Sequence, residues 1–254
     1  MVPGRAGLSV HFLVQVWHWF TTSSHWHGGF GVPHRVTEHL AMSGGAMLLA
    51  LVISIPIGVG LGHRGRGGVV ALNVTNIGRA VPSFGVLVLF ATIFGLRGWP
   101  GFGARPALVA LVALAIPPIV TNSYVGVRDV DADVREAARG MGMTGWELLR
   151  QVELPLALPL VMAGIRTSAV QVVATATLAA ETSWGGLGRF IVDGLAQRDD
   201  VQVFAGALLV AMLAVLTEVA LASVQRRLTP RGRRAPDDAV AGSHPISAPL
   251  PVPR

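Results

Sequence analysis

The chain has 254 residues, 52% of them apolar and only 13% charged, with a net charge of +6 and a mean hydropathy of +0.57, a balance that excludes an ordinary soluble domain. It contains no cysteine, which excludes disulfides, thiolate metal sites and cysteine nucleophiles, and all 20 basic residues are arginine. Without lysine there is no Walker A phosphate loop and no Schiff base, so any work driven by ATP needs a nucleotide site on another chain.

Residues 8–20 are apolar and rich in tryptophan and histidine, but 13 residues are few for a membrane crossing. The segment reads as an interfacial helix with Trp17 and Trp19 at headgroup level, a sixth span and an irregular segment being the alternatives. One arginine and no adjacent A-x-A site argue against a signal peptide. Residues 39–62 then hold 24 positions with no formal charge beyond whatever His39 carries, long enough to span, with Pro56 as an expected kink. Residues 67–96 are interrupted only by Arg79; 80–96 is the second expected span, with 67–78 as an approach helix or part of a longer, tilted span.

After a turn region, residues 106–127 supply 22 uncharged positions, the third expected span, which the Pro117-Pro118 pair should bend or locally unwind. Residues 128–153 carry ten charges in 26 positions and are not lipid-embedded. Hydrophobic runs resume at 154–180, carrying Arg166, and 201–224, carrying Glu218, as spans four and five. Arg166 is expected to snorkel to the headgroups, with a gating or coupling role as the alternative. Glu218 is expected to pair with a tail arginine such as Arg226 or to face a subunit interface. The tail from residue 229, with six prolines in 26 positions, reads as disordered.

Arginine placement orients these spans. Arg64 and Arg66, the charged loop and the tail fall on one side, which the positive-inside rule makes cytoplasmic. Within the loop, Asp131 is a fitting N-cap for a helix through Arg139, which Gly140 and Gly142 should end. Thr144 and Glu147 form a capping-box pattern for a second helix running to about Val152, before Pro155. Ala137, Ala138, Met141, Met143 and Trp146 lie among the charges, a mixture of small and deformable apolar residues suited to docking another protein.

Glu136-Ala137-Ala138, three residues, Gly142, nine residues and then Val152-Glu153-Leu154-Pro155 resembles the E-A-A-x3-G-x9-I-x-L-P loop of bacterial binding-protein-dependent ABC importer permeases, with valine for isoleucine the only departure. The resemblance extends over roughly residues 38–227 and narrows to the glycine betaine, carnitine and choline group. It is carried further by Ala80-Val81-Pro82-Ser83, by Pro118 through Tyr124, by Arg135 through Thr144 followed by Val152 through Thr167, and by Gly185-Gly186-Leu187-Gly188. Departures stand at Arg79-Ala80, Thr121 and Thr182-Ser183-Trp184, in or beside segments expected to face substrate.

The resemblance implies an all-α integral membrane protein of the MetI-like type, a polytopic helical bundle with five core transmembrane helices and a cytoplasmic coupling-helix loop. Its domains are expected at 1–37 (interfacial or extracytoplasmic), 38–227 (transmembrane, with the coupling loop at 128–155) and 228–254 (tail). It implies ATPase coupling through Glu136, Ala137, Ala138, Gly140, Met141, Gly142, Val152, Leu154 and Pro155. Its expected partners are an ABC ATPase dimer, a second copy or homologous permease, an extracytoplasmic substrate-binding protein and the lipid bilayer, with no nucleic acid, and the expected location is the bacterial inner membrane.

Pro82, Ser83, Asn122, Ser123, Tyr124, Gly185, Gly186 and Gly188 are candidates for a polar pathway lining or gate, the alternative being simple helix packing by small residues. His25, His27 and His34 lie close together but have no H-E-x-x-H spacing, and neither a metal nor a cofactor is expected. Quaternary ammonium recognition usually needs an aromatic cage, and one tyrosine and six tryptophans are few for one; the family practice of placing high-affinity recognition in a separate binding protein would relax that need. The reading is therefore an osmoprotectant permease with no catalytic residues. The alternatives are the same architecture importing an amino acid or other small zwitterion, and an integral-membrane enzyme. The enzyme would require converging acids and histidines, which instead fall on opposite sides.

Overall fold

The computed structural model describes residues 5–65, 73 and 82–228, which are entirely helix and connecting turn. Helix α1 (Arg5–Thr21) leads through a 3-10 turn (Ser23–Trp26) to α2 (Val32–Arg64). Pro33 sits at the start of α2, where its missing N–H is harmless, and Gly65 closes the helix in a left-handed conformation at φ 63°. Then come α3 (Ser83–Leu96), α4 (Ala104–Arg128) and the loop helix α5 (Ala132–Gly140). A single turn, α6 (Gly145–Glu147), passes through a π-helical stretch (Leu148–Glu153) into α7 (Leu154–Thr175). A 3-10 turn (Ala176–Thr182), α8 (Gly188–Gln197) and α9 (Asp200–Leu228) complete the order.

Among the described residues, four helices are long and apolar enough to cross a bilayer: α2, α4, the continuous helix Gly145–Thr182 containing α7, and α9. The second expected span is shorter than the sequence reading. Its 14 residues reach about 21 Å, against a hydrocarbon layer of about 30 Å. Most of the expected approach segment, including Arg79, and the tail from residue 229 lie outside the described residues.

Helix α4 stays helical through Pro117 and Pro118, so of the two expected effects, bending or local unwinding, the unwinding does not occur. It packs most extensively against α2 and α7, and the Ser168 hydroxyl of α7 donates to the Ala115 carbonyl at 2.9 Å, so neighbouring helices hold the segment in place. The second loop helix does not stop before Pro155 either. The wider π turn immediately before the proline absorbs the break in the backbone ladder, and the helix runs on into the membrane span.

Lipid offers no hydrophobic drive between helices, so close packing holds the bundle. Small residues supply it. Ala46 and Ala50 of α2, Ala107, Ala110 and Ala115 of α4, and Ala176 and Ala179 beyond α7 form one core with Met42, Leu87, Leu111, Ile119 and Val172. A Cβ at Gly58 would lie 2.6 Å from the Val120 carbonyl oxygen, and one at Gly164 would lie 2.6 Å from the Asn122 Cβ, so both crossings require glycine.

Helix α1 packs along α9, with Phe12 and Phe204 edge to face at 5.4 Å. Trp17 is exposed as expected of an interfacial residue, but Trp19 is not at a headgroup surface. It is buried with Val32, Leu187 and Ala205, with Phe190 against its edge. Arg166 and Glu218 pair with each other at 3.0 Å across α7 and α9, and Gln225 joins them, so Glu218 meets Arg166 rather than a tail arginine. Each charge sits about three turns from the nearer end of its helix, Leu154 for Arg166 and Leu228 for Glu218.

Candidate functional site

The charged loop folds as its caps dictate. Asp131 Oδ1 accepts the Asp133 N–H at 2.8 Å to start α5. Thr144 and Glu147 close a reciprocal capping box, the Thr144 N–H donating to Glu147 Oε2 at 2.8 Å. Bonds from the backbone and then the hydroxyl of Thr144 hold this exposed, loop-side carboxyl below the ordinary carboxylate range. Between the helices Gly142 adopts φ +87°, a left-handed conformation that side chains rarely take.

The loop has a tip of mixed apolar and charged residues and a buried ionic root. Glu136, Ala137, Arg139, Gly140, Met141, Gly142 and Trp146 are exposed, Met141 at 73% and Trp146 at 66%. Ala138, expected on the docking surface, instead faces inward and is buried, and Met143 is half-buried. Of the residues at the loop's end, Val152 and Leu154 are half-buried and Pro155 is exposed.

Beneath the tip lies a cluster that sequence reasoning missed. Glu153 is fully buried. Its Oε2 lies 2.6 Å from His63 Nδ1 at the end of α2, and its Oε1 lies 3.2 Å from Arg135 Nε on α5. The same guanidinium donates through Nη2 to the Val127 carbonyl, and more weakly to that of Arg128 at 3.4 Å, at the end of α4. One carboxylate and one guanidinium thus tie the ends of α2 and α4, the loop helix and the π turn that opens α7. The available signal was an acid set between valine, leucine and proline at the unspecified position of the loop pattern.

The expected pathway residues divide into three groups. Pro82 caps α3 and is exposed, with Ser83 beside it at the first turn. Asn122, Ser123 and Tyr124 sit where α4 crosses its neighbours: Ser123 is buried against Gly58, Asn122 faces Gly164, and a Cβ at Gly62 would lie 2.8 Å from the Tyr124 carbonyl oxygen. Gly185, Gly186 and Gly188 form the turn before α8, at the opposite end of the bundle from the coupling loop. The Gly186 N–H donates to Glu38 Oε2 at 2.8 Å, and that carboxylate also meets Arg35 at 2.8 Å. His39 Nε2 donates to the Val173 carbonyl at 2.8 Å, fixing the same end of α2 to α7. Among the described residues no group of three or more histidines and acids is placed to hold a metal ion.

A bundle of membrane-length helices joined by a capped, exposed loop anchored in the bundle ends defines a membrane-embedded helical protein. Residues 51–233 match the family described as binding-protein-dependent transport system inner membrane component, and the chain belongs to that family. It is 37% identical over 199 residues to the glycine betaine/carnitine/choline transport system permease protein OpuCB of Bacillus subtilis, covering 78% of this chain and 89% of the relative. It is 38% identical over 206 residues to the carnitine transport permease protein OpuCB of Listeria monocytogenes, covering 81% and 92%. The osmoprotectant import permease protein OsmW of Salmonella typhimurium is 34% identical over 197 residues, covering 78% and 91%.

An inward-facing structure of the MetNI methionine ABC transporter shares the fold, with a TM-score of 0.67 at 24% identity over 76% of this chain and 94% of that one. The chain is accordingly a transport component rather than an enzyme. Its family implies an ATPase partner and a substrate-binding protein.

Proposed function

We propose that this chain is a permease subunit of an ATP-driven importer for small osmoprotectants of the glycine betaine, choline and carnitine class, resident in a bacterial inner membrane. The substrate class is supported by relatives named for these compounds at 34–38% identity. The observation that carries the coupling role is the Glu153–Arg135–His63 cluster, because it joins the exposed tip of the loop to the ends of the spans that must move.

In this reading the unit at 38–227 is the transmembrane domain, preceded by the segment at 1–37 and followed by a cytoplasmic tail. Two copies, or one copy with a homologous permease, flank the pathway. An ATPase dimer docks on Glu136, Ala137, Gly140, Met141 and Gly142, and an extracytoplasmic binding protein delivers the substrate. Closure of the ATPase dimer pushes on α5 and α6. The push passes through the buried ion cluster and the segment of Val152, Leu154 and Pro155 to α2, α4 and α7, turning the pathway outward, and hydrolysis resets it. Asn122, Ser123, Tyr124 and the Gly185–Gly186–Gly188 turn set the helix crossings this motion bends; Pro82 and Ser83 border the pathway.

The substrate is tested in cells lacking their own osmoprotectant importers and supplied with this permease, its ATPase and its binding protein. Uptake of labelled glycine betaine, choline or carnitine, unaffected by excess methionine, is the expected result. Uptake of an amino acid alone would replace the osmoprotectant reading with the amino-acid alternative.

A further inference from the structure

At the end of the bundle away from the coupling loop, the stretch between α3 and α4 is stitched to the 3-10 turn that follows α7. The Gly103 N–H donates to the Thr182 carbonyl, and the Thr182 hydroxyl donates back to the Gly103 carbonyl at 3.1 Å. This reciprocal pair fixes the residues that immediately precede its members, Phe102 and Glu181. Both line a cavity of about 450 Å³ that runs along α3, with Phe84 and Thr92 on its helical wall. That volume lies within the range of small-molecule sites.

The lining is apolar and aromatic apart from Thr92 and Thr182, whose hydroxyls donate to backbone carbonyls, and it holds one carboxylate, Glu181. Phe84 and Phe102 are exposed by 51% and 72%, so their rings are open to an occupant. Among the described residues no cation pairs with Glu181, although three other acids in the bundle, Glu38, Glu153 and Glu218, each have one. Glu181 is itself exposed, and a carboxylate beside an apolar wall attracts a cation more strongly than one in open water does. The type of cation is narrowed by the walls. A quaternary ammonium has no N–H to donate and is satisfied by charge and aromatic rings, both of which line this cavity.

Resting on the osmoprotectant reading, the geometry points to this cavity as a transit site in the permease itself for the trimethylammonium group of the substrate. Glu181 supplies the countercharge, and Phe84 and Phe102 supply the ring contacts. The site supplies the aromatic contact that so few tyrosines and tryptophans left in doubt, and supplies it with phenylalanine. Two faces and one acid make a weak, open site, which suits a group that must leave again.

The absence of native cysteine allows a direct test. Thr92→Cys is introduced into the permease, assembled with its ATPase in nanodiscs free of choline-headgroup lipid. The thiol's rate with a trimethylammonium-bearing methanethiosulfonate is divided by its rate with the neutral hydroxyethyl reagent. Free choline should slow the cationic reagent, and adding Glu181→Gln should lower the ratio by about threefold or more, as loss of one nearby charge requires. Phe102→Leu, a change at an exposed side chain, should lower it too.

A ratio indifferent to Glu181, or a thiol that neither reagent reaches, overturns the site. Protection by choline-headgroup lipid but not by free choline would make the occupant a lipid and likewise overturn the solute assignment. Uptake by the same variants, reconstituted with ATPase and binding protein in sealed proteoliposomes, separates the two readings. Quaternary ammonium uptake with an indifferent ratio removes the site alone, and a Glu181-dependent ratio with no such uptake removes the osmoprotectant reading instead.

Discussion

At Gly142 the backbone stands at φ +87°, and a Cβ there would meet nothing within 4 Å. The glycine is thus demanded by conformation, and the space around it is free for a partner. Asparagine and aspartate tolerate left-handed backbone better than other residues, so Gly142→Asn and Gly142→Asp carry similar strain and differ in charge. Gly142→Asp is expected to keep its membrane level while losing ATPase co-purification and about 90% of uptake, Gly142→Asn to fall between it and wild type, and Ala132→Asp on the same loop to behave as wild type. Equal uptake by wild type and Gly142→Asp at matched expression would remove this residue from the docking surface. Beneath it, Glu153→Gln leaves the Arg135 guanidinium, only 9% exposed, without its countercharge. Breaking a buried pair costs on the order of 3–5 kcal/mol, and Arg135→Met in the same chain should recover part of that loss. Thermal unfolding of the purified single and double variants checks this; strictly additive losses would show that the two side chains do not act as a pair.

Among the helices, α2 and α4 approach closely enough that Gly58 has no room for a side chain, whereas Gly60, half a turn away, has nothing within 4 Å. Gly58→Leu should therefore lower the melting temperature and the membrane level of the permease, and Gly60→Leu should leave both near wild type. A similar effect of both changes would mean that the crossing does not depend on close approach at Gly58. The apolar runs and the loop caps were legible in the sequence because each is a local property: length without charge gives a span, and Asp131, Thr144 and Glu147 set the loop helices from within a few residues. The Glu153 cluster was not legible, since it depends on which end of α2 meets the loop and so on His63, 90 residues away. Pro155 misled for a related reason. A proline normally marks a helix end, and only the π turn beside it lets the chain continue. The burial of Trp19 and the pairing of Arg166 with Glu218 likewise follow from α9 lying against α1 and α7, which no single span announces.

For the whole molecule, the exposed loop tip and the Gly185–Gly188 turn lie at opposite ends of the bundle, so the proposed ATPase docking and substrate delivery fall on opposite sides of the membrane. Ala132→Cys in intact cells should resist an impermeant thiol reagent applied outside and react once the membrane is opened; labelling from outside would invert the arrangement. The chain has no lysine with which to build a phosphate loop, and its family implies a separate ATPase partner. The most direct test of that division of labour is ATP hydrolysis and labelled glycine betaine, choline and carnitine uptake in proteoliposomes. One set holds the permease with its ATPase and binding protein, and the other holds the permease alone. The account predicts ATP-dependent uptake of at least one of these compounds by the full set, and neither hydrolysis nor uptake by the permease alone. ATP hydrolysis or concentrative uptake by the pure, isolated chain would contradict it.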